Sequence, residues 1–165
     1  MMELQSNFVS AGEGLTHTLM PGEQMAWKAT GATTDSALDC CELLLDPQVG
    51  PPEHIHHTND EAIYILEGTL RMRVGGESAD LSAGSFVFIA RGTPHAWKNI
   101  GSAQARLLIV FTPGGMDGFF REMAPLVPTL MAGMANGSEV DASITEKAEA
   151  IMRHYQYELV GPPLA

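Results

Sequence analysis

Three histidines and one carboxylate are the residues of this sequence best placed to do chemistry. His54 and His56 stand two apart in Gly50-Pro51-Pro52-Glu53-His54-Ile55-His56-His57, Glu61 follows a short loop, and His95 stands behind Gly92-Thr93-Pro94. On a β-strand, side chains two apart share a face, so His54 and His56 point together while Ile55 and His57 point away. Three imidazoles and one carboxylate form a mixed nitrogen and oxygen set, suited to a catalytic divalent metal that keeps open positions. A lone His-x-His pair is weak evidence, because exposed pairs arise by chance and a core histidine can simply be hydrogen-bonded. The ordered neighbourhood around both halves strengthens the metal reading.

Strands must hold these groups. Residues 37–112 read as short strands bounded by Gly, Pro or Asn: Ala37 to Leu45, Ala62 to Leu66, Leu70 to Val74, Ser85 to Ala90 and Ala105 to Phe111. With 17 glycines, 10 prolines and only 18% charged residues, the chain suits a sandwich or small barrel rather than a helical bundle. Residues 1–36 are broken by Gly12, Gly14, Pro21-Gly22 and Gly31 into an N-terminal arm with strands. Residues 113–165 predict a helical tail. A short helix covers Asp117 to Met123, and a longer one covers Asp141 to Tyr155. The longer helix is expected to carry a capping box from Ser143 to Glu146 and an apolar stripe of Ile144, Ala148, Ile151, Met152 and Tyr155. The apolar stretch Met123 to Ala135 is broken by Pro125 and Pro128.

Length and charge narrow the function. A chain of 165 residues suits one domain with a sizeable core, and 45% hydrophobic residues exclude a disordered chain. Nine basic against 20 acidic residues give a net charge of −11, which repels nucleic acid and anionic membranes. No apolar run approaches the ~20 residues of a membrane span. Met1 to Ser6 shows no signal-peptide pattern, so a cytoplasmic location is expected. Adjacent Cys40 and Cys41 point to opposite strand faces, and a vicinal disulfide is strained, so both are expected to be free thiols in the core. His17, His57 and His154 are expected at the surface.

The motifs resemble the cupin superfamily. Its first motif is met by Gly50, His54-Ile55-His56, Glu61 and Gly68, and its second by Gly84, Ala90-Arg91-Gly92, His95 and Asn99. Two positions depart: Gly50 sits close to the first histidine, and Ala90 replaces a proline. A narrower likeness, to single-domain bacterial cupins similar to quercetin 2,3-dioxygenase, runs from about Trp27 onward. It rests on Gly50 to His56, Asp60-Glu61, Leu66-Glu67-Gly68, Thr112 to Gly115, Gly118 to Glu122, and Tyr155 to Leu164.

The resemblance implies an all-β double-stranded β-helix, or jelly roll, with short C-terminal helices. It also implies one divalent ion (Fe, Mn, Ni, Co, Cu or Zn) held by His54, His56, Glu61 and His95. The reaction it implies is O₂-dependent cleavage of an enolisable aromatic small molecule, with Glu61 as general base and Ile63, Ile65 and Trp97 lining a solvent-open pocket. The alternatives are non-oxidative metal chemistry (isomerase, cyclase or lyase) and a ligand-binding module without catalysis. Exposed sheet edges make a homodimer the expected assembly.

Overall fold

The computed structural model describes residues 8–165; the segment Met1 to Ser6, read above for a signal pattern, lies outside them. In chain order the elements are β1 (Leu15–His17), β2 (Glu23–Ala29), α1 (Gly31–Thr34), β3 (Asp39–Leu45), β4 (Pro52–His56), β5 (Asp60–Glu67), β6 (Thr69–Val74) and β7 (Glu77–Ser82). They continue with β8 (Phe86–Ile89), β9 (His95–Asn99), β10 (Ala105–Thr112), α2 (Met116–Met123), α3 (Val127–Asn136), α4 (Ala142–His154) and β11 (Tyr157–Pro163). The strands form two antiparallel sheets, ordered β1-β2-β3-β10-β5-β8 and β11-β4-β9-β6-β7. This is the expected all-β jelly roll.

Alternation builds the core. In β3, Asp39, Cys41, Leu43 and Leu45 are buried while the residues between them are half-buried. Leu43 pairs with Leu107 of β10, which pairs in turn with Ile65 of β5, so one apolar rung crosses the sheet. Two glycines permit close approaches. A Cβ on Gly50 would collide with the Trp97 carbonyl, so glycine lets the chain enter β4 against β9. Gly68 turns β5 into β6 at φ 93°, where a side chain would also meet Ala105.

Within the first 36 residues, β2 pairs with β3 along its length and sends Met25 and Trp27 into the core. Three expectations need correction. The tail is not wholly helical: β11 returns to the sheet and pairs with β4, as an edge strand where prolines are tolerated. Met123 to Ala135 is not merely broken, since Pro128 lies in the first turn of α3, where no backbone donor is lost. The cap of α4 is Asp141, whose carboxylate accepts from the Ser143 N–H, rather than Ser143 itself. Of the expected stripe, Ala148 and Ile151 are fully buried. Among the described residues no helix is long and apolar enough to cross a membrane.

Candidate metal centre

His54 and His56 point inward from β4, and His95 stands directly across from His54 on β9. Glu61 comes from the facing sheet, on β5, between Phe111 of β10 and Ile89 of β8. Each of the four offers a ligand atom within 4.8 Å of the others. The imidazole centroids are 4.2 Å apart for His54 and His95, 5.0 Å for His54 and His56, and 5.4 Å for His56 and His95.

Backbone carbonyls orient two of the rings. His54 Nδ1–H donates to Pro52 O at 2.8 Å, and His95 Nδ1–H donates to Thr93 O at 2.9 Å, which turns each Nε2 toward the centre. Glu61 Oε2 lies 3.0 Å from His95 Nε2 and 3.4 Å from His56 Nε2. Glu61 Oε1 and His56 Nδ1 are buried without a partner. Burial works against the Glu61 charge, but its bonds to His56 and His95 outweigh this and hold the carboxyl below the usual range. Burial, with His95 and His56 as neighbours, keeps His54 neutral far below the ordinary imidazole range. Burial also opposes charge on His95, yet the Glu61 carboxylate carries that ring upward. One carboxylate among inward-turned imidazoles, with an oxygen to spare, fits a divalent transition ion.

The centre is closed, which corrects the expected solvent-open pocket. His54 and His56 are 3% exposed, His95 1% and Glu61 0%. An aromatic wall from the C-terminal segment covers it. Tyr157 stacks on His54 and on Phe119, and Phe120 packs against Trp27 and Phe111. Phe111 in turn meets His56 edge-on at 5.5 Å. Trp97, expected as a lining residue, stacks on His95 and meets His54 edge-on. Ile63 and Ile65 follow Glu61 on the inner face of β5 and are wholly buried in the core.

Other groups position the wall and the loops. Asp39 is fully buried and accepts from the N–H groups of Gly31, Gly115 and Asp117, tying β3 to α1 and to the start of α2. Asp60 receives the Arg91 backbone N–H at 2.8 Å and two bonds from its guanidinium, which hold the Asp60 carboxyl at about 2. Gly92 N–H donates to His56 O at 2.8 Å, so the turn before His95 is fastened to β4.

The remaining residues fall largely as expected. His57 is exposed and paired with Glu158 at 2.7 Å, and His154 is exposed. His17 is only half-buried, with Nδ1 buried and unpaired. Cys40 and Cys41 are free, and Cys41 is buried. Sequence reasoning missed Tyr157, Phe119 and Asp39, because no local pattern marks a residue whose role is set by a contact across the fold.

The two-sheet jelly roll, with three imidazoles from one sheet and a carboxylate from the other, defines a β-barrel protein with a candidate metal centre. The family model for the Cupin domain matches residues 42–111, a span that contains all four candidate ligands. Residues 42–111 are thus similar to a cupin domain, and the jelly-roll fold is shared with solved cupin structures. The tetracenomycin polyketide synthase protein TcmJ of Streptomyces glaucescens is 35% identical over 69 residues, covering 42% of this chain and 46% of that relative. The chain spans about half the length of the curated relatives it matches. Among solved structures, KdgF from Halomonas sp. superposes with a TM-score of 0.62 at 20% identity, over 69% of this chain and 99% of KdgF. The polyketide cyclase RemF from Streptomyces resistomycificus gives 0.57 at 21% identity, over 66% of this chain and 80% of RemF. At such identities the structural likeness speaks for the fold alone.

Proposed function

We propose that the protein is a mononuclear metal-dependent enzyme that removes a proton from an enolisable aromatic hydroxy-carbonyl compound. The observation that carries this reading is Glu61, fully buried, touching two imidazoles through Oε2 while Oε1 has no partner. A divalent ion held by His54, His56, Glu61 and His95 would supply Lewis acidity, lowering the pKa of a hydroxyl beside it. Glu61 Oε1 takes that proton, as a general base placed against the reacting group. His54 and His95 keep their orientation through the Pro52 and Thr93 carbonyls. Trp97, Phe111 and Tyr157 keep water away from the resulting enolate.

Two fates of that enolate separate the readings. In the first, of quercetin 2,3-dioxygenase type, the electron-rich ring reacts with O₂ and is cleaved. In the second, the enolate attacks or rearranges without oxygen, as in a cyclase or isomerase. The second reading is favoured by the name of a sequence relative, a tetracenomycin polyketide synthase protein. Anaerobic mixing of the metal-loaded protein with a flavonol, followed by admission of air, distinguishes them. Bleaching of the flavonol band with O₂ uptake supports the first reading. Turnover of a polyketone under strict anaerobiosis supports the second. No turnover of either class, with full metal, contradicts the enzyme reading.

A further inference from the structure

The two sheets differ on their outer faces. On the sheet of β11, β4, β9, β6 and β7 the outward charges are paired: Arg71 with Asp80 at 2.8 Å, Arg73 with Glu53 at 2.9 Å, and His57 with Glu158 at 2.7 Å. Such a face suits water. The outer face of the other sheet is apolar. One rung runs Cys40, Val110, Ala62, Phe88 across β3, β10, β5 and β8, and the next runs Leu108, Tyr64, Phe86. These positions alternate with the buried residues of each strand, so their side chains point away from the core. Phe86 is 62% exposed, Phe88 58% and Tyr64 41%.

Single exposed apolar residues are ordinary, but three aromatic rings side by side on an apolar sheet mark a surface that is covered. They stand at the edge strand β8 and its neighbour β5. Charges border the face on one side only. Glu42 takes Lys28 at 3.9 Å and Arg106 at 3.2 Å, and Arg106 also reaches Glu67 at 3.3 Å, so two basic and two acidic groups cancel. The chain as a whole carries −11, so two copies repel wherever their acidic surfaces meet and approach most easily through this neutral face. A neutral apolar patch complements itself, as a two-fold interface requires, whereas a partner chosen by charge finds nothing here to recognise. Four strands about 4.8 Å apart, each about six residues long, cover on the order of 400 Å² in plan. With the rings projecting from it, the accessible area of this face is of the order of the ~800 Å² that each partner buries in a stable interface.

We propose that the outer face of β3, β10, β5 and β8 is covered by a second copy of this chain, the two sheets packing face to face about a two-fold axis near Tyr64 and Phe86. The homodimer expected from exposed edges is thus assigned to a sheet face. The interface lies behind the metal centre, because Ala62 and Tyr64 point out from the strand that sends Glu61 inward. The partner therefore adds nothing to the set of four ligands, and the inference does not depend on the proposed reaction.

Sedimentation velocity and light scattering on the metal-loaded protein should give a species of twice the 17.7 kDa chain mass at micromolar concentration. Raising the salt concentration should tighten this dimer, because screening weakens the repulsion between two acidic copies and leaves apolar contact intact. Phe86→Glu combined with Phe88→Glu sets like charges against each other and should weaken association about a hundredfold or more, at unchanged metal content. Phe86→Ser combined with Phe88→Ser adds no charge and should weaken it about tenfold, so the test stands if the glutamates disturb β8. Val160→Glu, at an exposed apolar position of β11 on the other sheet, should leave the dimer intact. A wild type that stays monomeric overturns the second copy as occupant and leaves the face to a different protein. A dimer that persists in both phenylalanine variants, is lost in Val160→Glu, or weakens with salt as an ion-paired interface does, overturns the assignment to this face.

Discussion

Tyr157 lies nearly parallel to His54, ring centroids 4.9 Å apart with 19° between the planes, and Phe119 stacks on the same tyrosine at 4.4 Å. The C-terminal strand thus closes the centre that a strand 100 residues earlier in the chain begins. Pairing of Tyr157 with His56 in the sheet fixes the approach of the ring.

Removing that ring should loosen the centre. Tyr157→Ala is expected to cost about 3 kcal/mol, the lower end for truncating a buried aromatic, because Tyr157 is half-buried. Metal affinity should fall about tenfold, as for loss of a group that orients a ligand. Tyr157→Phe keeps the stack and should match the wild type in both. Denaturant titration and competition with a chelator measure the two effects.

The role of Glu61 is tested by a variant that preserves its size. Glu61→Gln should retain part of the metal and slow the proton-transfer step about 10²-fold or more. Single-turnover kinetics with equal metal in both proteins reads this directly, and wild-type rates would remove Glu61 from the proposed chemistry. His95→Ala should lose metal and also lower the Tm, because His95 is buried and its removal leaves the Glu61 charge with one imidazole contact fewer.

Asp39 should prove a structural hinge point. Its carboxylate serves three backbone donors at once, and an asparagine carbonyl in its place offers a single acceptor oxygen. Asp39→Asn is expected to cost about 1–3 kcal/mol, the penalty for leaving buried donors unpaired. Hydrogen exchange should show the start of α2 opening before the sheets do.

The centre was readable because its rules are local. His54 and His56 follow the two-residue period of a strand, and His95 follows a glycine turn that Gly92 provides at φ 82°. The strands with clear alternation, such as β3 and β6, were equally readable. Strand β7 was not, because Glu77 to Ser82 is exposed at five of six positions and shows no apolar face. Strand β11 was hidden by Gly161-Pro162-Pro163, a string that reads as a turn but serves as an edge here. Helix α3 was hidden by a proline that turned out to lie in its first turn. Tyr157, Asp39 and Glu23 carry no local signature at all; their roles come from strands and helices meeting in space.

Stability should depend on pH through Glu23. Its carboxyl titrates at 4.5 when free and at about 7 when folded, raised by burial. Between these values the folded chain keeps a proton that the unfolded chain has lost, so stability falls as pH rises across that window. The fall is up to about 1.4 kcal/mol per pH unit, or roughly 3 kcal/mol in total. Glu23→Gln removes this dependence, so its stability relative to the wild type should grow from pH 5 to pH 8. The burial-raised Asp39 is present in both proteins and cancels in the difference. Chemical denaturation at several pH values measures it, and parallel curves would contradict the assignment.

The metal itself is the most direct test. Elemental analysis of the purified protein and of the His54→Ala, His56→Ala, Glu61→Ala and His95→Ala variants counts transition metal per folded chain. One divalent ion per chain in the wild type, falling by tenfold or more in each variant, is the expected result. A wild type that binds no transition metal when supplied with it, or variants that keep one ion per chain, would contradict the centre assigned to these four residues.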